Sequence, residues 1–158
     1  MTAKSIKTDA TSRIAFFAGS FNPFTVGHAS VVERALAVFD RIIIAVGCNF
    51  EKDSGDADSR VADIASVYND EPRVEVISYS GLTVDAARLA GATCLLRGVR
   101  SVRDFEYERD MADANRQLSG LETVLIYSLP EYAFISSSLV RELKAYGKDV
   151  SDYLPAGR

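Results

Sequence analysis

The chain has 158 residues, 47% hydrophobic and 25% charged, with 18 basic against 22 acidic side chains and a net charge of −4. That size fits one domain with a real core, and the acidic balance excludes a general nucleic-acid surface, which needs a basic face, but not a local basic pocket. No apolar run approaches the roughly 20 residues of a membrane span, and Met1 to Ser12 lacks the apolar core of a secretion signal, so a cytoplasmic protein with no membrane contact is expected.

In chain order, residues 1–12 read as a disordered lead-in and residues 13–158 as the domain. The first apolar run, Ile14 to Ala18, has the character of a buried strand. It is followed by Gly19-Ser20-Phe21-Asn22-Pro23-Phe24-Thr25-Val26-Gly27-His28 and then by a helical pattern, Val31, Val32, Ala35, Leu36 and Phe39. A strand–loop–helix corner of this kind presents backbone N–H groups and a helix N-terminus to solvent, which suits a phosphate. The only histidine, His28, is expected at the end of the loop, able to donate a hydrogen bond to a phosphate oxygen and to carry positive charge as negative charge builds up. The corner is neither G-x-G-x-x-G nor G-x-x-x-x-G-K-[ST], so the dinucleotide fingerprint and the Walker lysine are both excluded.

The remaining strands are expected at Ile42–Val46, Val74–Ile77, Cys94–Leu96 and Thr123–Tyr127. The near-continuous apolar run of the first of these suits a central strand; the alternation Val74-Glu75-Val76 suits one nearer an edge. Helical spacing joins Val61, Ile64, Ala65 and Tyr68; Leu82, Ala86, Leu89 and Ala90; and Leu139, Val140, Leu143 and Tyr146. Strands alternating with helices imply an α/β fold, a five-stranded parallel sheet with helices on both faces. Two cysteines make neither a disulfide framework nor a metal set, and Cys94, inside an apolar run, reads as a buried thiol.

In such sheets ligands bind beyond the carboxyl ends of the strands, where the winding order reverses. Each strand is followed there by chemistry-bearing residues: Gly19 to His28, then Lys52, then Gly81 and Leu82, then Arg97 and Arg100, then Tyr132 to Ser138. Two guanidiniums flanking Gly98-Val99 can grip phosphate oxygens from two sides, although on spacing alone a solvated pair is the favoured reading. Ser101 is placed to cap the next helix, with Asp104 completing a capping box. Glu108 shares a helix stripe with Phe105, Ala112 and Asn115, where it suits either a ribose hydroxyl or a structural ion pair. Ser136 is a good N-cap, and the N–H groups behind it, with the Ser137 and Ser138 hydroxyls, can hold a polyphosphate tail.

Together GSFNPFTVGH, RGVRSVRDFEYE and YAFISSSLVRE resemble the bacterial phosphopantetheine adenylyltransferases of the nucleotidyltransferase superfamily, whose signature is (H/T)-x-G-H; the resemblance spans about Arg13 to Pro155. It implies a Rossmann-like nucleotidyltransferase domain in coenzyme A biosynthesis, transferring AMP from ATP to 4'-phosphopantetheine and releasing dephospho-coenzyme A and pyrophosphate. It further implies Mg2+ arriving with ATP rather than in a protein cage, a homohexamer, and feedback by coenzyme A.

By position, the resemblance makes His28, Lys52 and Arg100 the catalytic set. Ser20, Phe21 and His28, the segment Gly98, Val99 and Arg100, Glu108, and the loop Tyr132, Ala133, Phe134, Ile135, Ser136, Ser137 and Ser138 become ATP contacts. Ser20, Lys52, Leu82, Thr83 and Arg97 become acceptor contacts. Ser20 and Asn22 stand where the family more often has Thr and Asp, Tyr132 stands where some members have Trp, and the loop after Lys52 is shorter and more acidic than usual. The GSFNP corner is also found in nicotinate mononucleotide adenylyltransferases, which run the same chemistry on another acceptor; the RGVR and DFEYE segments and Thr25 favour the pantetheine reading over that one and over cytidylyl transfer. A non-catalytic nucleotide sensor would not need His28, Lys52, Arg97, Arg100 and the serines together.

Overall fold

The computed structural model describes residues 11–48 and 56–156. Lys52, expected in the catalytic set, and residues 1–10 of the expected lead-in lie outside the described residues.

Five strands form one all-parallel sheet in the order β3-β2-β1-β4-β5: β1 (Ile14–Gly19), β2 (Arg41–Gly47), β3 (Val74–Tyr79), β4 (Cys94–Val99) and β5 (Thr123–Tyr127). The helices between them are α1 (Val26–Ala35), α2 (Ala57–Val67), α3 (Thr83–Leu89), α4 (Val102–Ser119) and α5 (Ser137–Ala145). The alternation of strand and helix thus gives the expected architecture. β1 is the central strand, flanked by β2 and β4, so the run Ile42–Val46 is interior but second from the edge; β3 is the edge strand its alternation suggested.

Side chains of β1 divide the core between the two faces. Phe17 packs with Val32, Ala35 and Ile64 of α1 and α2 on one side, and Phe16 packs with Val84 and Ala87 of α3 on the other. Burial on both faces explains why the inner strands read as unbroken apolar runs. The α3 stripe differs in part from the spacing expected for it: Val84 and Ala87 face the core and Ala86 and Ala90 pack against it, while Leu82 and Leu89 are 60% and 90% exposed. α3 has seven residues, too few for periodicity to fix which of two adjacent stripes turns inward.

Two boundaries also differ from expectation, and both move chemistry onto rigid structure. β4 continues to Val99, so Arg97, Gly98 and Val99 belong to the strand rather than following it. A side chain on Gly98 would meet Val31 Cγ2 at 3.1 Å, so the glycine lets β4 and α1 approach closely. α1 begins at Val26, which puts His28 in its first turn instead of in the loop.

The winding order reverses between β1 and β4, one chain leading toward β2 and β3, the other toward β5. That is where an open parallel sheet leaves a crevice.

Candidate active site

Two cavities open at that reversal and share Ala18, Gly19, Ser20, Arg97, Tyr107 and Glu108. One, of about 550 Å³, lies over the ends of β2 and β3 and is lined by Cys48, Tyr79, Thr83, Met111 and Asn115. The other, of about 440 Å³, lies between α1 and α5 and is lined by His28, Arg100 and Ser136 to Ser138.

The α1–α5 cavity is built on two capped helix ends. Thr25 is the N-cap of α1; its hydroxyl accepts from the His28 N–H at 3.4 Å, and its own N–H donates to His28 Nδ1 at 2.9 Å. A backbone N–H can only donate, so Nδ1 is an acceptor and the proton of the neutral ring sits on Nε2. Burial pushes the His28 pKa down to about 4, and the charges of Arg100 and Arg97 push the same way. At neutral pH the ring is therefore uncharged. In the free protein His28 is a neutral donor with a fixed tautomer, which fits the expected hydrogen bond to a phosphate oxygen. Phe24 stacks on the ring at 5.4 Å and Phe21 meets it edge-on at 5.1 Å, covering much of it and accounting for the desolvation.

At the other helix end, the Ser136 hydroxyl accepts from the Leu139 N–H at 3.1 Å, as the N-cap pattern predicts. The Ser137 hydroxyl donates to the Pro23 carbonyl at 2.8 Å, and Arg141 donates to the Asn22 carbonyl at 2.5 Å, tying α5 to the β1–α1 corner. Both caps use the third N–H of their helix, leaving the first two directed out of the helix end, where an anion is favoured. Arg100 lines the same cavity, held by Asp104 at 3.3 Å and by the Ile135 carbonyl at 3.4 Å. Ser101 caps α4 through the Asp104 N–H at 3.2 Å, but the Asp104 carboxylate takes the Arg100 N–H rather than that of Ser101, so the expected capping box is only half formed.

Between the cavities, Arg97 Nε and Nη2 donate to the two Glu108 oxygens at 2.9 and 2.8 Å, and Nη1 donates to the Ala18 carbonyl at 2.6 Å. Burial by itself disfavours the guanidinium charge; the Glu108 carboxylate overrides it and holds the pKa above its ordinary value. Three of the five N–H groups are committed, leaving one on each terminal nitrogen to meet a ligand. Glu108 is engaged in the ion pair, one of the two roles its position allows, and the pair itself forms the shared wall.

The structure brings Ser20, Phe21, His28, Gly98, Val99, Arg100, Glu108 and Ile135 to Ser138 onto the α1–α5 cavity, and Ser20, Thr83 and Arg97 onto the β2–β3 cavity. It leaves Tyr132, Ala133, Phe134 and Leu82 outside both linings. Tyr132 backs Gly27 of α1, and Phe134 turns outward against Tyr153. Sequence reasoning missed Tyr79 and Tyr107 as cavity residues. Tyr107 stood inside the DFEYE segment, but nothing distinguished its face of α4 from that of Phe105, which lines neither cavity.

The model of the cytidylyltransferase-like family matches residues 16–143. The chain is 57% identical to the phosphopantetheine adenylyltransferase of Porphyromonas gingivalis over 91% of this chain and 95% of that protein. It is 48% identical to that of Bacteroides thetaiotaomicron over 92% and 97%, and 44% identical to that of Flavobacterium psychrophilum over 90% and 95%. Among solved structures, a putative nicotinate-nucleotide adenylyltransferase from Vibrio parahaemolyticus superposes with a TM-score of 0.61 at 20% identity, covering 92% of this chain and 95% of that one. A bifunctional NMN adenylyltransferase/ADP ribose pyrophosphatase from Francisella tularensis superposes with a TM-score of 0.68 at 15% identity, covering 94% and 46%. These two share the fold. With more than half of its length matched by the family model and near-complete relatives at up to 57% identity, the chain belongs to the cytidylyltransferase-like family and, within it, to the phosphopantetheine adenylyltransferases.

Proposed function

We propose that the protein transfers AMP from ATP to 4'-phosphopantetheine, yielding dephospho-coenzyme A and pyrophosphate. The observation that carries this reading is the pair of cavities meeting at Ser20 and Arg97, with His28 beside the junction. A two-substrate transfer needs two adjoining sites whose reacting groups meet at one point, and a sensor needs only one.

ATP occupies the α1–α5 cavity, its phosphates on the two helix ends, with the loop from Tyr132 to Ile135 flanking the nucleotide. The pantetheine arm lies in the β2–β3 cavity, against Thr83 and the backbone of Leu82, with its phosphate on Arg97. Glu108, expected as a nucleotide contact, serves by holding Arg97 between the substrates. The acceptor phosphate attacks the α-phosphorus in line. It is already an anion, so no general base is required, and catalysis is positioning plus relief of charge on the pentacoordinate centre and the departing pyrophosphate. His28 supplies an Nε2–H donor without reorganisation; Arg100, Lys52 and the serine segment supply the remaining positive and donor character.

The carboxylates on the α1–α5 cavity, Asp104 and Glu108, are engaged by Arg100 and Arg97, so the donor set suits phosphates and not a bare cation. Mg2+ is accordingly proposed to come with ATP, held by its phosphates and by water, and to share the phosphate charge. A homohexamer, feedback by coenzyme A and a cytoplasmic location belong to the same reading; among the described residues no helix is long and apolar enough to cross a membrane. Light scattering and an assay with added coenzyme A test the first two.

The deciding experiment incubates the protein with ATP, Mg2+ and either 4'-phosphopantetheine or nicotinate mononucleotide, and identifies products by mass. Dephospho-coenzyme A with stoichiometric pyrophosphate is expected. Deamido-NAD in its place overturns the acceptor assignment, and no product from either overturns the reaction.

A further inference from the structure

Arg60 is a buried charge outside the chemistry described so far. It sits in the first turn of α2 with 6% of its surface exposed. Its Nη1 donates to the Ser20 carbonyl at 2.5 Å, its Nε donates to the Asp56 carbonyl at 3.3 Å, and its Nε lies 3.7 Å from the half-exposed Asp56 carboxylate. Burying a guanidinium is costly unless its partners need it there. The informative partner is the Ser20 carbonyl, which lies in the β1–α1 corner, 40 residues away in sequence.

The peptide that follows Ser20 is trans and planar, so its C=O and N–H point in opposite directions. With the carbonyl drawn toward α2, the Phe21 N–H is directed away from α2. Among the described residues that N–H has no protein acceptor. Phe21 has φ +46, an unusual conformation for a non-glycine residue, and its ring is wedged against Phe17, Phe24 and His28. The corner therefore presents an open donor from a backbone unit clamped on both sides: by the ring cluster after the peptide and by Arg60 before it. Phe21 lines the α1–α5 cavity and not the β2–β3 cavity.

We propose that Arg60 is a positioning residue for nucleotide phosphate: by holding the Ser20 carbonyl it orients the Phe21 N–H as a phosphate donor. This rests on the reading that ATP occupies the α1–α5 cavity. It adds that affinity for the nucleotide depends on a side chain that lines neither cavity.

The test is calorimetric titration of the full-length protein with ATP–Mg2+ and, separately, with 4'-phosphopantetheine, for wild type, Arg60→Ala, Arg60→Lys and Asp56→Ala, with thermal melts of each. Arg60→Ala is expected to weaken ATP binding at least about tenfold, the scale of one charge-assisted hydrogen bond, and to leave pantetheine binding within about twofold. Arg60→Lys, which retains a charged donor for the Ser20 carbonyl, recovers most of the loss. Asp56→Ala, which removes the Asp56 carboxylate and keeps the bond to the Ser20 carbonyl, leaves ATP affinity at the wild-type level. Unchanged ATP affinity in Arg60→Ala overturns the proposal. So does an equal fall in both affinities together with the melting temperature, or an Asp56→Ala effect as large as that of Arg60→Ala, since each marks a purely structural role. If wild type binds ATP but forms no dephospho-coenzyme A, the acceptor reading fails and the Arg60 comparison still stands.

Discussion

The two cavities share a wall but are built on opposite principles. The α1–α5 cavity is made from helix ends, each finished by a local cap, Thr25 for α1 and Ser136 for α5. Its donors are fixed before any ligand arrives. The β2–β3 cavity is made from side chains scattered over β3, α3, α4 and the turn after β2, among them Cys48, Tyr79, Thr83, Met111 and Asn115. Among the described residues its charged lining is the Arg97–Glu108 pair on the shared wall. Local motifs suffice to hold phosphates, whose geometry is standard; recognising a long flexible acceptor requires a surface assembled by the whole fold.

The largest effect should come from the α1–α5 side. His28→Ala is expected to lower kcat by about 10²–10³, the scale of one lost donor to developing charge, with ATP affinity much less affected. Steady-state kinetics with a separate ATP titration measure both. Near-normal turnover would break the contrast, because the preorganised ring would then be structural.

That contrast explains what the sequence disclosed. The strand–helix alternation, the edge character of β3 and the Ser136 cap were readable because each depends on neighbours in the chain. The T-x-G-H spacing located His28, but not its charge state, which is set by burial under Phe24 and Phe21 and by Arg97 and Arg100 from β4 and the turn after it. Glu108 and Arg97 were each visible, yet their pairing joins a helix to a strand 11 residues apart, and spacing alone could not choose it over a ribose contact. Tyr79 and Arg60 carry no motif at all; their roles arise from contacts that only the folded chain makes.

The histidine's environment has a consequence for stability. Its folded-state pKa of about 4 lies below the ordinary 6.5, so between these values the unfolded chain binds more protons than the folded one. Stability from the neutral ring is present in full above pH 6.5 and is lost as the pH falls toward 4. The loss is of the order of 3 kcal/mol for a shift of this size. Urea unfolding from pH 7.5 to 4.5 should show a steeper decline for wild type than for His28→Ala. Parallel curves would mean that the folded protein accommodates the imidazolium, and the neutral-donor role would fall.

Arg97 tests the wall itself. Arg97→Ala strands the buried Glu108 carboxylate, so Arg97→Gln combined with Glu108→Gln is the cleaner variant. It is expected to raise the KM for 4'-phosphopantetheine by about tenfold or more, the scale of a charge-assisted contact, and to change the KM for ATP by no more than about threefold. The reverse pattern would move Arg97 to the nucleotide side.

The smallest expected effect is the one most specific to the dispersed cavity. The Tyr79 hydroxyl and the Thr83 hydroxyl are 2.9 Å apart, joining the end of β3 to the start of α3 across the turn that lines the β2–β3 cavity. Tyr79 also packs edge-on against Phe16 at 5.8 Å, so its ring is fixed by the core and only its hydroxyl is engaged in the turn. Tyr79→Phe keeps the ring and frees Thr83. One neutral hydrogen bond is worth about 1 kcal/mol, which limits the change in acceptor KM to roughly fivefold, with kcat and the KM for ATP unaltered. If Tyr79→Phe instead lowers kcat with no change in acceptor KM, the turn bears on the reacting centre. The separation between an assembled acceptor surface and a preformed phosphate site would then be lost, because a residue that lines only the first would be acting in the second.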